Sequence, residues 1–129
     1  MRAIDTNVVV RFLTNDDPHQ GGVARAVIED GDVFIPTTVL LETEWVLRSA
    51  YDFPAKQIVR ALRGLAGLPG VTVESRSLLA QALDGMEQGM DFADALHLSG
   101  SERCTVFLTF DRRLSDRAKT LASPPVQRL

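Results

Sequence analysis

Four acids stand where this chain passes between apolar strand-like runs and helical patterns: Asp5, Glu42, Asp94 and Asp111. Brought together, four carboxylates repel one another, and their pKa values rise until a counter-charge arrives. A divalent cation removes that penalty. An oxygen-only donor set with no cysteine nearby suits Mg²⁺ or Mn²⁺. Such a site activates water and neutralises a phosphodiester during in-line displacement.

The elements that would position these acids can be read from punctuation and period. "RAI", 2–4, is a short strand, and residues 6–14 a short helix. Asp17 before Pro18 is an N-cap followed by proline at the first helical position, opening a helix that ends at Gly31. "VFI", 33–35, is a strand stopped by Pro36, and "TTVLLETEWVLRSAY" is a helix with a threonine cap. "PAKQIVRALRGLAG" is a further helix from Pro54, and "VTVE", 71–74, alternates like a strand. Residues 76–88 and 92–103 read as helices. "TVFLT", 105–109, is apolar, β-branched and unbroken, as a strand covered on both faces should be. "RRLSDRAKTLA" is a short helix, and "VQRL" a last strand.

Strands separated by helices predict a parallel sheet with helices on both faces. The expected fold is α/β: a three-layer α/β/α sandwich around a central parallel sheet of about four to five strands, in a single domain over residues 1–129. Ligands bind such a sheet at the carboxyl ends of its strands. Asp5 and Asp111 follow strands, while Glu42 and Asp94 lie in or near first helical turns, so all four map to that edge.

Each acid also has a plainer role. Asp5 and Asp111 suit helix caps, and Glu42 suits the positive end of a helix dipole. In "GMDFADALHLS", 89–99, Gly89 suits the end of one helix, Asp91 an N-cap and Asp94 the acid of a capping box. Asp91 and Asp94 share a helix face, which makes Asp91 a candidate outer-shell residue. Glu44 competes with Glu42. The wheel of their helix centres its apolar face near Val39, Leu47 and Ala50, with the two glutamates on opposite margins. Glu44 can pair with Arg48 on the surface at i, i+4 and Glu42 has no such partner, which favours Glu42 for the site.

The bulk composition narrows the classes. A length of 129 residues supports a real core, and 45% hydrophobic with 24% charged residues is the balance of a soluble globular protein. No apolar run reaches the ~20 residues of a membrane span, and the amino terminus lacks a signal-peptide pattern. Cys104 is the only cysteine, which excludes an internal disulfide, reads as a buried thiol and favours the cytoplasm. The net charge of −3 means that any grip on nucleic acid must be local rather than through the overall field. No P-loop or dinucleotide glycine fingerprint is present.

Four segments in order resemble the PIN-domain ribonucleases, specifically the VapC-type toxins of VapBC toxin–antitoxin pairs: "AIDTNVVVRFL", "IPTTVLLETEWVLR", "DFADALHLS" and "VFLTFDRRL". The resemblance runs almost end to end. It implies acids at Asp5, Glu42, Asp94 and Asp111, with Asn7 and Thr109 as polar supports that orient carboxylates. It implies a Mg²⁺-dependent endoribonuclease leaving a 5′-phosphate and a 3′-hydroxyl. It also implies a homodimer and a cognate antitoxin that inserts a segment over the acidic site.

The remaining polar and aromatic residues are weighed beside it. Arg112, Arg113, Arg117 and Lys119 read as a solvated helix face; the functional alternative is contact with RNA phosphates, for which Arg112 and Arg113 are the candidates. His97 reads as a helix-face histidine bonded locally, His19 as solvent-exposed, and Trp45 as core. Competing readings are a haloacid-dehalogenase-like phosphatase, a phospho-receiver domain and a non-catalytic RNA- or protein-binding module. The first wants an aspartate where Asn7 stands, the second a better-placed late lysine than Lys119, and the third has no need of four acids.

Overall fold

Short apolar β-branched runs between amphipathic helices leave the strands only parallel neighbours, because each return passes through a helix. The computed structural model describes residues 1–119, 121 and 124–129 and shows this arrangement in two compact units, Met1–Arg76 and Ser77–Leu129. The α/β class holds, and among the described residues every strand pair is parallel.

The first unit runs β1 (Arg2–Ala3), α1 (Thr6–Thr14), α2 (Pro18–Asp30), β2 (Val33–Ile35), α3 (Thr37–Ser49), α4 (Ala55–Ala66) and β3 (Val71–Val73). Its sheet has the order β1-β2-β3, with Val33 beside Val71 and Ile35 beside Val73. Val9, Val33, Ile35, Leu47, Ile58 and Leu62 are buried in it. Asp17 caps α2 as its place before Pro18 predicts, accepting the Gln20 N–H at 2.7 Å. The predicted threonine cap of α3 does not form. Pro36 holds the cap position without a side-chain bond, and the Thr37 N–H donates instead to the Glu74 carboxylate at 3.0 Å. A carboxylate just past β3 thus satisfies an amide that the local sequence leaves open.

The second unit runs α5 (Arg76–Glu87, its first residue at the boundary), α6 (Phe92–Ser99), β4 (Phe107–Thr109), α7 (Arg112–Ala118) and β5 (Val126–Arg128). β4 and β5 pair in parallel, Phe107 beside Val126. Gly85 lets α5 and α6 approach closely: a Cβ there would stand 3.2 Å from that of Ala95. Gly89, at φ +95°, makes the reversal after α5, and the Met90 N–H reaches back to the Gly85 carbonyl at 3.0 Å. Residues of the predicted last helix at 120 and 122 lie outside the described ones.

Among the described residues the strands form a three-stranded parallel sheet in the first unit and a two-stranded one in the second. Other expectations are corrected. α6 stops at Ser99 instead of 103, where the Gly100 N–H closes the last turn on Leu96. The 105–109 run is not covered on both faces: Val106 and Leu108 are exposed, as is Phe110 just after it at 81%. Cys104, in the turn before that strand, is an exposed thiol. Trp45 is 58% exposed, because the buried face of α3 is formed by Leu40, Thr43, Glu44 and Leu47. That face is rotated away from the expected one centred on Val39, Leu47 and Ala50.

Candidate active site

In the first unit the site begins where β1 runs out. The Ile4 N–H still bonds the Phe34 carbonyl at 3.1 Å, and the chain then turns into α1 with Asp5 at its N-cap. One oxygen of Asp5 accepts the Thr6 N–H at 2.8 Å. Capping occupies one acceptor of a carboxylate that has several, so it is compatible with holding a cation. Thr6 is buried, and its hydroxyl donates to Glu42 Oε1 in a short hydrogen bond. Asp5 and Glu42 are thus joined through one threonine.

Thr6, whose hydroxyl holds Glu42, is a residue that the sequence does not single out: a hydroxyl next to an acid, with a partner 36 positions away, leaves only a weak local signal. Asn7, the expected support, is exposed and lines a groove with Val8, Arg11, His19 and Val23 between α1 and α2. Both histidines are exposed, as is Glu42. Glu44 is the buried glutamate, and it accepts the Arg48 Nε–H at 2.8 Å. The predicted pair exists, but its carboxylate lies inside rather than on the surface. Val39 and Ala50 are more open than Glu44, so the buried face of α3 keeps Leu47 and turns toward Leu40 and Glu44.

In the second unit Asp91 is the N-cap of α6, accepting the Asp94 N–H at 3.2 Å. Asp94 projects from the first turn and is half-buried. Desolvation, with the nearby charges of Asp91 and Asp111, pushes its carboxyl above the ordinary aspartate value, against a smaller opposing pull from His97. Asp111 caps α7, accepting the Leu114 N–H at 3.1 Å. Thr109 Oγ1 accepts the Asp111 N–H at 2.9 Å, so it orients that acid through its backbone. The Arg117 guanidinium donates to the Gly89 carbonyl and ties α7 to the turn that presents Asp91. Arg112, Arg113, Asp116 and Arg117 line an open depression of about 520 Å³, in which Arg112 approaches Asp116 at 4.0 Å.

The structure therefore brings Asp94 within electrostatic reach of Asp91 and Asp111, and links Asp5 to Glu42. Among the described residues, no group of three or more histidines, cysteines, aspartates or glutamates closes on a common point that could hold a metal ion. The chemistry of the donors still fits a hard divalent cation: they are carboxylates, and Asp94 carries an ionisation penalty that a cation would relieve.

The model of the PIN domain family matches residues 3–120, a span that runs through both units and includes all four acids, and the chain belongs to that family. The PIN domain is in general a nuclease fold whose members use divalent metals and act on nucleic acid. No curated protein and no solved structure matches the chain. Among the described residues, no helix is long and apolar enough to cross a membrane.

Proposed function

We propose that the chain is a Mg²⁺-dependent endoribonuclease, with Mn²⁺ as a substitute ion, and the VapC-type toxin of a toxin–antitoxin pair. The observation that carries this reading is the placement of Asp94, in the first turn of α6, within electrostatic reach of Asp91 and Asp111 in a chain of the PIN family. Asp5, Glu42, Asp94 and Asp111 would hold the ion. When bound, it supplies Lewis acidity that makes water nucleophilic at neutral pH and offsets charge on the phosphodiester.

The chain's own residues do the rest. The Thr6 hydroxyl fixes the Glu42 carboxylate, and Thr109 sets the backbone that presents Asp111. Asp91 starts the helix that carries Asp94 and stands outside the ligand set. Arg112 and Arg113 are exposed on α7 and suit contacts to RNA phosphates. The products are a 5′-phosphate and a 3′-hydroxyl. The same reading includes a cytoplasmic location, a homodimer, and an antitoxin whose segment covers the acids.

Expression in a bacterial host without an antitoxin should arrest growth, and the purified chain should cleave RNA with Mg²⁺ and not with a chelator. Asp5→Ala should abolish both effects. Equal toxicity and cleavage by a folded, equally abundant Asp5→Ala protein would overturn the catalytic assignment.

A further inference from the structure

We infer that Trp45 is a stacking platform for an unpaired RNA base beside the scissile phosphate, an inference that rests on the ribonuclease reading above. Trp45 is 58% exposed although α3 has a buried face at Leu40, Thr43, Glu44 and Leu47. It lies one turn after Glu42, on an exposed stripe that also holds Thr38 and Ser49. Residues three apart on a helix have Cβ atoms about 5–6 Å from one another, so an indole here stands beside whatever Glu42 acts on.

The surroundings select the kind of occupant. The core of a protein–protein interface is depleted in charge and rich in apolar side chains. Trp45 instead has exposed Glu42, Arg48 and Ser49 as its helical neighbours, with half-buried Leu41 as the one apolar side chain one turn before it, a flat apolar plate in a mainly polar and charged setting. A nucleobase matches that setting, with a π face for the indole and polar edges for the neighbours. Stacking also gives affinity without positive charge, which suits a chain of net charge −3. A base held in a duplex has its faces covered, so the platform requires a single-stranded segment.

Trp45 is the only tryptophan in the chain, so its emission reports on this site alone. The probe is oligo(A), with a backbone of the same length carrying abasic positions as control, titrated into the full-length Asp94→Asn protein so that no cleavage occurs. Oligo(A) should quench Trp45 saturably, and the abasic strand should bind without quenching. In the otherwise unaltered enzyme, Trp45→Ala should raise KM roughly 5- to 100-fold with kcat and melting temperature nearly unchanged, and Trp45→Phe should restore most of the loss.

If labelled oligo(A) binds by anisotropy while Trp45 emission stays constant, or Trp45→Ala cleaves with the original KM, the platform is overturned and the nuclease stands. A concentration-dependent blue shift without RNA would show a second copy covering Trp45 and would overturn it as well. If the unaltered chain neither binds nor cleaves RNA, the ribonuclease reading falls first and this inference with it.

Discussion

The turn between α1 and α2 and the first turn of α6 each hold an aspartate among close polar neighbours, and the two are pushed in opposite directions. Asp16, in the first, accepts hydrogen bonds from the Tyr51 hydroxyl at 2.7 Å, the Thr14 hydroxyl at 2.9 Å and Arg11 Nη1 at 3.0 Å. Led by the Tyr51 bond, these donors hold its carboxyl down at about 2. Arg11 extends the cluster to Gln20 at 2.8 Å, so α1, α2 and the segment after α3 are pinned at one point. Asp94 faces desolvation and two more acids and is pushed up. A carboxylate surrounded by donors is finished architecture. One surrounded by its own kind carries a penalty that folding alone does not remove, and such groups concentrate at functional sites.

The strongest way to break that contrast is to neutralise Asp94. A carboxyl whose pKa is raised on folding favours the native state below its unfolded pKa, and that contribution is lost as pH rises through the raised value. At pH 7 the charge is therefore a cost, and Asp94→Asn should hold or raise stability, by at most about 1 kcal/mol after solvent screening. Metal-dependent cleavage should fall by orders of magnitude. Added Mg²⁺ or Mn²⁺ should raise the melting temperature of the original chain by mass action, and raise that of Asp94→Asn less. Thermal melts and RNA cleavage on the same preparations read both effects, and unchanged Mn²⁺ affinity by calorimetry would put the ion elsewhere.

What the sequence shows of these regions follows the range of the interactions. The caps at Asp5, Asp17, Asp91 and Asp111 bond amides one to three residues away, so local residue preferences expose them. The βα alternation is legible for the same reason, since each strand or helix carries its own period. The Thr6–Glu42 bond spans 36 positions and leaves no mark in either segment. The burial of Glu44 is hidden because a wheel gives angles and not the position of the neighbouring layer. Arg48 compounds the error, since an i, i+4 ion pair is usually a surface feature and here one partner is buried. Trp45 and the 105–109 run depart from expectation by the opposite assumption, that large apolar side chains go inside.

Glu44 and Asp16 sharpen the architectural side. The Glu44 side chain is only 2% exposed, so Arg48→Met leaves a buried carboxylate without this donor and should cost about 1–3 kcal/mol in denaturant unfolding. Adding Glu44→Gln should recover part of that loss, and cleavage per folded molecule should persist throughout. Loss of cleavage with stability intact would move the catalytic glutamate from Glu42 to Glu44. Asp16 acts only in acid. Its depressed pKa stabilises the native state above the unfolded value near 3.8 and stops doing so as pH falls toward about 2. Asp16→Asn should therefore lower the denaturant midpoint at pH 7, with the difference vanishing by about pH 2. Tyr51→Phe should shrink the same window.

The smallest effect belongs to Asp91, which stands on both sides of the comparison. It is the cap of α6, and its charge also helps to raise the pKa of Asp94. Asparagine caps a helix about as well as aspartate, so Asp91→Asn should shift stability by only a few tenths of a kcal/mol, while Asp91→Ala should cost about 1 kcal/mol. Asp91→Asn also removes one of the charges that crowd Asp94, so the acid titration of Asp94, followed by carboxyl NMR, should move downward toward its ordinary value. Alanine removes the same charge and should move it likewise. The pair of variants thus separates the two roles: stability follows the cap, which asparagine keeps, and the titration follows the charge, which neither keeps. Cleavage at fixed Mg²⁺ should survive in Asp91→Asn, because the ligand beside it is untouched. A folded Asp91→Asn protein that melts normally and no longer cleaves would make Asp91 a member of the site and not only the start of the helix that presents it.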